Sequence, residues 1–324
     1  MAKYLLVNFG GPRDLDEIPS FLESLLTDRD VIRTRFPTFF HNWLFGRIAR
    51  KRALKIREDY HEIGGKSPIY FDTEAIKEAL SRKLKAPVLT FHRYLPATHA
   101  DSLKQIEKAK ELIVLPLFPQ FCYATTGSIA RFFSPYFPNQ LRWIKSYAGH
   151  PAFIAAYQKR ISDFLQENEL AEEETLLFFS AHGIPKKFVK EGDPYEDECN
   201  LSYNKVMEAF PRIKSRLCFQ SKFGRGEWLK PYTNEACEEI LNWHEGRKKI
   251  VFIPISFTSD HIETLFEIEK LYLPIIREKG LNAYRCPALN LEPYWIDALA
   301  EILRGNEFHQ NDALVRNKNS SFRI

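Results

Sequence analysis

Four short apolar runs constrain this chain more than any other feature: YLLVNF (4–9), LIVLPLF (112–118), LLFFSA (176–181) and IVFIPISF (250–257). Each is rich in β-branched or aromatic residues, and none alternates apolar with polar. A strand with one face in water alternates; a strand buried on both faces does not. Weaker runs of the same kind lie at 87–94 and 216–223. Between them the spacing predicts helices over 17–26, 73–85, 100–110, 152–168, 234–245 and 262–278. Strands alternating with helices predict parallel sheets in an α/β fold.

The order of these elements echoes itself. An early strand ends in a Gly–Pro turn in both halves, NFGGP and then SAHGIP. A later strand carries an internal proline in both, VLPLFPQF and then FIPISFTSD. This predicts two similar α/β lobes, 1–148 and 149–290. A last helix over 295–303, within a segment 291–304, is expected to pack back on the first lobe. The tail 305–324 is polar and aperiodic and reads as disordered.

At 324 residues the chain is long enough to bury a large core without disulfides or a structural metal. A net charge of +4 gives no argument for a nucleic-acid partner. The five cysteines, Cys122, Cys199, Cys218, Cys237 and Cys286, are scattered, without a CxxC pair. That usage fits a reducing, cytoplasmic setting. No apolar run approaches the roughly 20 residues of a transmembrane helix.

In open α/β sheets ligands sit at the carboxyl edge of the strands. Two groups of polar residues fall there. His182 follows LLFFSA, beside Gly183, which removes bulk where a ligand would approach. An imidazole there is a proton acceptor near neutral pH or simply a turn cap. After IVFIPISF come Asp260, His261, Glu263 and Glu267. Ser259 or Asp260 is expected to cap the helix that follows. His261 and Glu263 lack the spacing of a helical zinc pair. Glu263 and Glu267 stack on one helical face, which costs about a few tenths of a kcal/mol for like charges. A carboxylate pair at a sheet edge suits a divalent cation. A third feature is the stretch 29–57, with nine Lys or Arg, one acid, and Phe36, Phe39, Phe40, Trp43 and Phe45. It suits a flat aromatic anion, a membrane surface or single-stranded nucleic acid, or it is a solvated helix pair.

Seven blocks in order resemble the ferrochelatases: NFGGP (8–12), IGGKSPI (63–69), LPLFPQF with TTGS (115–128), SAHGIP (180–185), GDPY (192–195), CFQSKFG with WLKPYT (218–233) and FTSDHIETLFEIE (257–269). The resemblance spans about residues 3 to 305. It implies two Rossmann-like lobes with the active site in a cleft between them. It implies insertion of ferrous iron, as substrate, into protoporphyrin or coproporphyrin to make haem. His182 and Glu263 then match the iron-site pair, with His182 the base that takes pyrrole protons, and Glu267 a step in a metal or proton path. Relatives carry a further acid where this chain has Leu271. Phe9, Arg93 and Tyr94 match positions at the porphyrin, and Arg52 and Ser67 match positions that hold a propionate. The stretch 29–57 becomes the lip of the porphyrin slot, touching membranes peripherally, at most at the inner face. Animal members bind an iron–sulfur cluster through four cysteines. Here the loop position is Tyr123 and no cysteine follows Cys286, so no cluster is expected. Two other readings share features with this one. A cobalt chelatase of a sirohydrochlorin-type ring has the same fold, but its pocket is more polar than the segment 36–45. A porphyrin or haem carrier needs an axial ligand rather than a base opposed by a carboxylate.

Overall fold

The computed structural model describes residues 3–224, 226–305 and 307–316. The chain divides into two compact units, one formed by residues up to Ser146 with the C-terminal segment from Leu299, the other by Tyr147–Ala298. The second division falls inside the Pro293–Ile302 helix.

Each unit is built on one four-stranded sheet. In the first, β1 (Tyr4–Asn8), β2 (Val88–His92), β3 (Leu112–Pro116) and β4 (Leu141–Trp143) lie in the order β2-β1-β3-β4. In the second, β5 (Thr175–His182), β6 (Lys214–Gln220), β7 (Lys249–Ile253) and β8 (Asn282–Arg285) lie in the order β6-β5-β7-β8. Every pairing is parallel. The two sheets thus share one strand order, and the repeated Gly–Pro and internal-Pro signals fall at equivalent strands.

The central strands are buried throughout, and their apolar character follows from that. Leu5, Leu6 and Val7 in β1 and Leu177, Phe178 and Phe179 in β5 have no exposed surface. Three of the helices that flank the sheets begin where the sequence removes a backbone donor. Proline occupies the first turn of Ile18–Leu26, Pro68–Leu84 and Pro151–Glu167. Its missing N–H costs nothing at that position. The basic, aromatic stretch becomes one helix, Thr38–Glu62, preceded by a folded connection over 27–37, rather than two helices.

The tail expected to be disordered is ordered as far as the described residues reach. His309 bridges Trp143 through paired backbone hydrogen bonds of 2.9 Å. Asn311 accepts from the Trp143 indole N–H at 2.6 Å and donates to the Phe137 carbonyl at 2.8 Å. Leu314 is wholly buried in the core of the first unit. Two anchors among polar neighbours leave no periodicity, which is why composition suggested disorder. Positions 306 and 317–324 of that tail lie outside the described residues.

Leu314→Ala should therefore destabilise the protein by about 2–5 kcal/mol, the cost of a buried leucine cavity. A urea unfolding midpoint equal to that of the parent protein would contradict the docking of this segment.

Candidate active site

In the second unit the polar residues of interest stand at the carboxyl edge of the sheet, at or just after the ends of β5, β6 and β7. In β5 the seven residues from Thr175 are buried, and His182, at the end, is the first to reach solvent. Its register partner is Gln220, the last residue of β6. The backbone continues through Gly183, whose N–H donates to the Gln220 carbonyl at 2.8 Å. A Cβ on Gly183 would lie 2.9 Å from that oxygen. The glycine thus makes room for a neighbouring strand end, not for a ligand. The His182 N–H is held by Ser256 Oγ at 2.9 Å.

His182 and Glu263 meet. Nδ1 of the imidazole lies 2.9 Å from Glu263 Oε2. His261 Nε2 stands 3.8 Å from the same oxygen. The His182 side chain remains 38 % exposed and Glu263 25 %, so water reaches the pair. Nε2 of His182 makes no hydrogen bond to any described residue, and it is the face of the ring open to a ligand.

Glu263 and Glu267 lie on a π-helical segment, Glu263–Tyr272, where an α-helix was expected. Such winding is rare and recurs at functional sites. Its wider turn groups residues four and five apart. Glu267 therefore faces Glu263 and also lies 3.4 Å from the Tyr272 hydroxyl, which donates to it. Ser221 joins the two acids: its Oγ donates to Glu267 Oε2 at 2.6 Å and stands 3.4 Å from Glu263 Oε2. Gln220 Nε2 donates to the Glu263 carbonyl at 2.9 Å and to Glu267 Oε2 at 3.3 Å. The amide is oriented from behind by buried Ser180, which donates to Gln220 Oε1 at 2.7 Å and is itself 3.0 Å from Thr233 Oγ1. Leu271 is half-exposed and adds no acid to this row.

The electrostatics separate these groups. Burial alone would lower the His182 pKa, but the Glu263 carboxylate and its hydrogen bond, with Glu267 behind, raise it above the ordinary value. Burial would raise Glu263, yet the charge and hydrogen bond of His182 hold it well below the usual carboxylate range. Glu267 is pushed up to about 7 by burial and by the Glu263 charge, against the opposing bonds from Ser221 and Gln220. With Glu263 ionised and accepting, the proton of neutral His182 sits on Nδ1, and Nε2 carries the free lone pair.

Other expected residues fall differently. Asp260 does not cap the helix. Its Oδ1 accepts from Arg285 at 2.7 Å and Thr264 Oγ1 at 2.8 Å, and its Oδ2 from Asn290 at 2.8 Å. A buried carboxylate is better served by a distant arginine than by a local N–H. In the first unit, Phe9 follows β1 half-buried, with its ring 4.8 Å from Tyr94 and 4.9 Å from Phe118. Tyr94 has no exposed surface, so its ring cannot itself contact a ligand. Its hydroxyl donates to Asp28 at 3.1 Å, as does Arg93 at 2.8 Å. Ser67 is 2 % exposed. A Cβ on Gly11 would lie 2.5 Å from the Ser67 hydroxyl, so that hydroxyl is packed inward against the glycine rather than offered to a propionate. Arg52 is half-buried on the Thr38–Glu62 helix. On that helix and its approach Phe39 is 77 % and Trp43 55 % exposed, Phe36 and Phe40 stand edge-on 5.1 Å apart, and Phe40 stacks on Trp43 at 5.7 Å.

Sequence reasoning named none of Gln220, Ser221, Ser256 and Asp28. The first two lie in the block CFQSKFG, and only its order in the chain pointed to them.

Comparison with known proteins identifies the family. A profile of the ferrochelatase family matches residues 4–307. A ferrochelatase of Chlamydia abortus is 44 % identical over 98 % of this chain and 99 % of its own length. One from Chlamydia pneumoniae is 42 % identical over 97 % and 96 %. Among solved structures, CbiX, described as the terminal enzyme for biosynthesis of siroheme in denitrifying bacteria, superposes with a TM-score of 0.50 at 14 % identity, covering 73 % of this chain and 91 % of its own. SirB from Bacillus subtilis with Fe3+ gives 0.50 at 16 %, over 72 % and 87 %. At such identities these two show a shared chelatase fold and nothing finer. The near-complete match to the curated relatives goes further, and on it the chain belongs to the ferrochelatase family.

Proposed function

We propose that the chain inserts ferrous iron into a porphyrin to form haem, with His182 as the proton acceptor and Glu263 as its partner. The observation that carries this assignment is the 2.9 Å contact between His182 Nδ1 and Glu263 at the carboxyl edge of β5, which leaves Nε2 open. A free-base porphyrin loses two pyrrole protons as metal enters, so a base must face the ring. Nε2 of His182 takes a proton, and the imidazolium so formed is stabilised by the adjacent carboxylate. Imidazole and carboxylate are also ligands that ferrous iron accepts as it arrives. Glu267, ionising at about 7, takes up and releases protons at neutral pH, and Ser221 between the acids supports a path from Glu263 to Glu267. Protoporphyrin and coproporphyrin differ in propionate number, and parallel anaerobic assays with both decide the preferred ring.

His182→Ala should cut iron insertion by about 10²–10⁴-fold, the usual worth of a general base. Glu263→Gln should lose most activity and Glu267→Gln less. The sign of the pH effect follows from the charges. His182 must be neutral to accept, so activity rises with pH through its raised pKa. Removing the carboxylate that raises it should move the His182 titration, followed by NMR, to lower pH in Glu263→Gln. An unmoved or upward-shifted titration, or a larger activity loss in Glu267→Gln, would overturn these roles.

Phe9 and the stretch 29–57 supply the apolar and cationic surface for the macrocycle and its propionates, with Arg52 among the cations. The exposed aromatic row on the Thr38–Glu62 helix supports this reading. Among the described residues no helix is long and apolar enough to cross a membrane. Exposed cations of 29–57, among them Arg47, Lys51 and Lys55, meet anionic headgroups peripherally, worth about 1 kcal/mol each near the surface. Such attachment is reversible and screened by salt. The scattered, unpaired cysteines support a reducing, cytoplasmic setting. Replacing Phe39, Phe40 and Trp43 together by Ser should raise the porphyrin KM, leave the iron KM unchanged and reduce flotation with anionic vesicles. A folded triple variant with parental porphyrin KM and vesicle binding would remove the lip.

The chain carries no iron–sulfur centre in this reading, because a cluster needs four thiolates and the cysteines do not fall at the expected positions. Protein made anaerobically with added iron should contain no acid-labile sulfide, and stoichiometric iron and sulfide would refute this.

A further inference from the structure

One buried point ties the start of the lip to the rest of the first unit. The Asp28 side chain is 6 % exposed. Its Oδ2 accepts from Arg93 Nη2 at 2.8 Å, from the Tyr94 hydroxyl at 3.1 Å and from Ser128 Oγ at 2.6 Å. Its Oδ1 accepts the Asp30 N–H at 2.8 Å, which folds 28–30 into a turn. The donors come from the end of β2 and from the Thr126–Phe133 helix.

Two consequences follow from that carboxylate. Through Tyr94 it sets the ring that stands edge-on to Phe9 at 4.8 Å. Through the turn it sets Arg29, which donates to the carbonyls of Thr34 at 3.1 Å and Phe36 at 3.0 Å and to Thr38 Oγ1 at 3.0 Å, where the aromatic helix begins. Arg93 is restrained as well, its guanidinium 4.9 Å from the Tyr94 ring centre and 4.7 Å from that of Phe132. Farther along, the ion pairs Arg50–Glu23 at 3.4 Å and Arg57–Asp16 at 3.3 Å are exposed and hold the helix weakly.

We propose that Asp28 is a positioning residue for porphyrin binding. It places Phe9 and the first turn of the lip together, without itself touching the ring. This rests on the reading of Phe9 and 29–57 as porphyrin-contacting. A merely structural carboxylate would change stability alone, whereas a positioning one changes porphyrin KM and spares the chemistry at His182.

Asp28→Asn keeps the shape and removes the charge that gathers the donors. In anaerobic steady-state assays it should raise the porphyrin KM about tenfold, with kcat within about threefold and the iron KM unchanged. Tyr94→Phe, which leaves the Arg93 pair intact, should act in the same direction by less and carries the test if Asp28→Asn does not fold. The double variant should fall short of the product of the two effects, because both act through one bond. A lowered Tm with parental porphyrin KM in both single variants would overturn the proposal. The Phe39, Phe40 and Trp43 triple Ser variant, assayed in parallel, separates the two ideas. A raised KM there with parental KM in Asp28→Asn defeats the positioning role alone, while a parental KM in the triple variant defeats the lip reading itself.

Discussion

Burial of the parallel strands on both faces is the constraint from which the rest follows. A side chain inside β5 or β7 has no water and no room for charge, so polar chemistry is excluded until the strand ends. Both sheets reverse their crossover direction at the same place, between the first and third strands of each unit, and the carboxyl edge there is where ligands bind in such sheets. His182 ends β5, and Glu263 begins the segment after β7. In the first unit Phe9 follows β1, and Arg93 and Tyr94 follow β2. The same architecture is used twice, and only the side chains at the edge differ: acid and base in one unit, aromatic and cationic in the other.

Two stacked carboxylates repel, and the site turns that repulsion into a division of labour. His182 stabilises the ionised form of Glu263, so the shared unfavourable energy falls on Glu267, which is raised to about 7. Environments that push two acids apart assign them different tasks. Glu263 stays charged and fixes the tautomer of the imidazole. In the proposed reaction Glu267 is the acid that exchanges protons near neutral pH. The buried row from Thr233 through Ser180 to Gln220 serves the same end, because it aims an amide N–H at the acid whose charge is least secure.

The central strands were legible because they are continuous apolar runs. Strands β4 and β8 were not. They are three and four residues long at sheet edges, and Arg142 and Asn282 are exposed within them. The Tyr195–Met207 helix also escaped, since its buried face mixes Tyr195, Cys199, Ser202 and Val206 and shows little apolar period. At the site, His182, Glu263 and Glu267 could be picked out by type and place in the chain. Ser221 and Gln220 could not, because small neutral polar residues carry no signal until a neighbouring strand brings them to an acid. Asp260 misled for the related reason that its partner, Arg285, is distant in sequence. The π-winding was invisible because its apolar spacing also satisfies an ordinary helix.

Asp28 and Glu263 make the final distinction. Each is an acid with several donors inside its own unit, yet their surroundings assign them opposite work. Asp28 is enclosed, and its donors come from side chains that are themselves buried or stacked. No substrate proton has a route to it, so all of its interaction energy goes into holding Tyr94, Arg93 and the turn in place. Glu263 has an imidazole for its main partner, and that imidazole keeps 38 % of its side chain exposed. The shared proton stays on Nδ1, and in the proposed reaction the mobile proton is taken at the ring's other nitrogen, Nε2, which bonds to no described residue. Whether a buried acid acts as scaffold or as chemistry is thus decided less by the acid than by whether its donor has a second, open side.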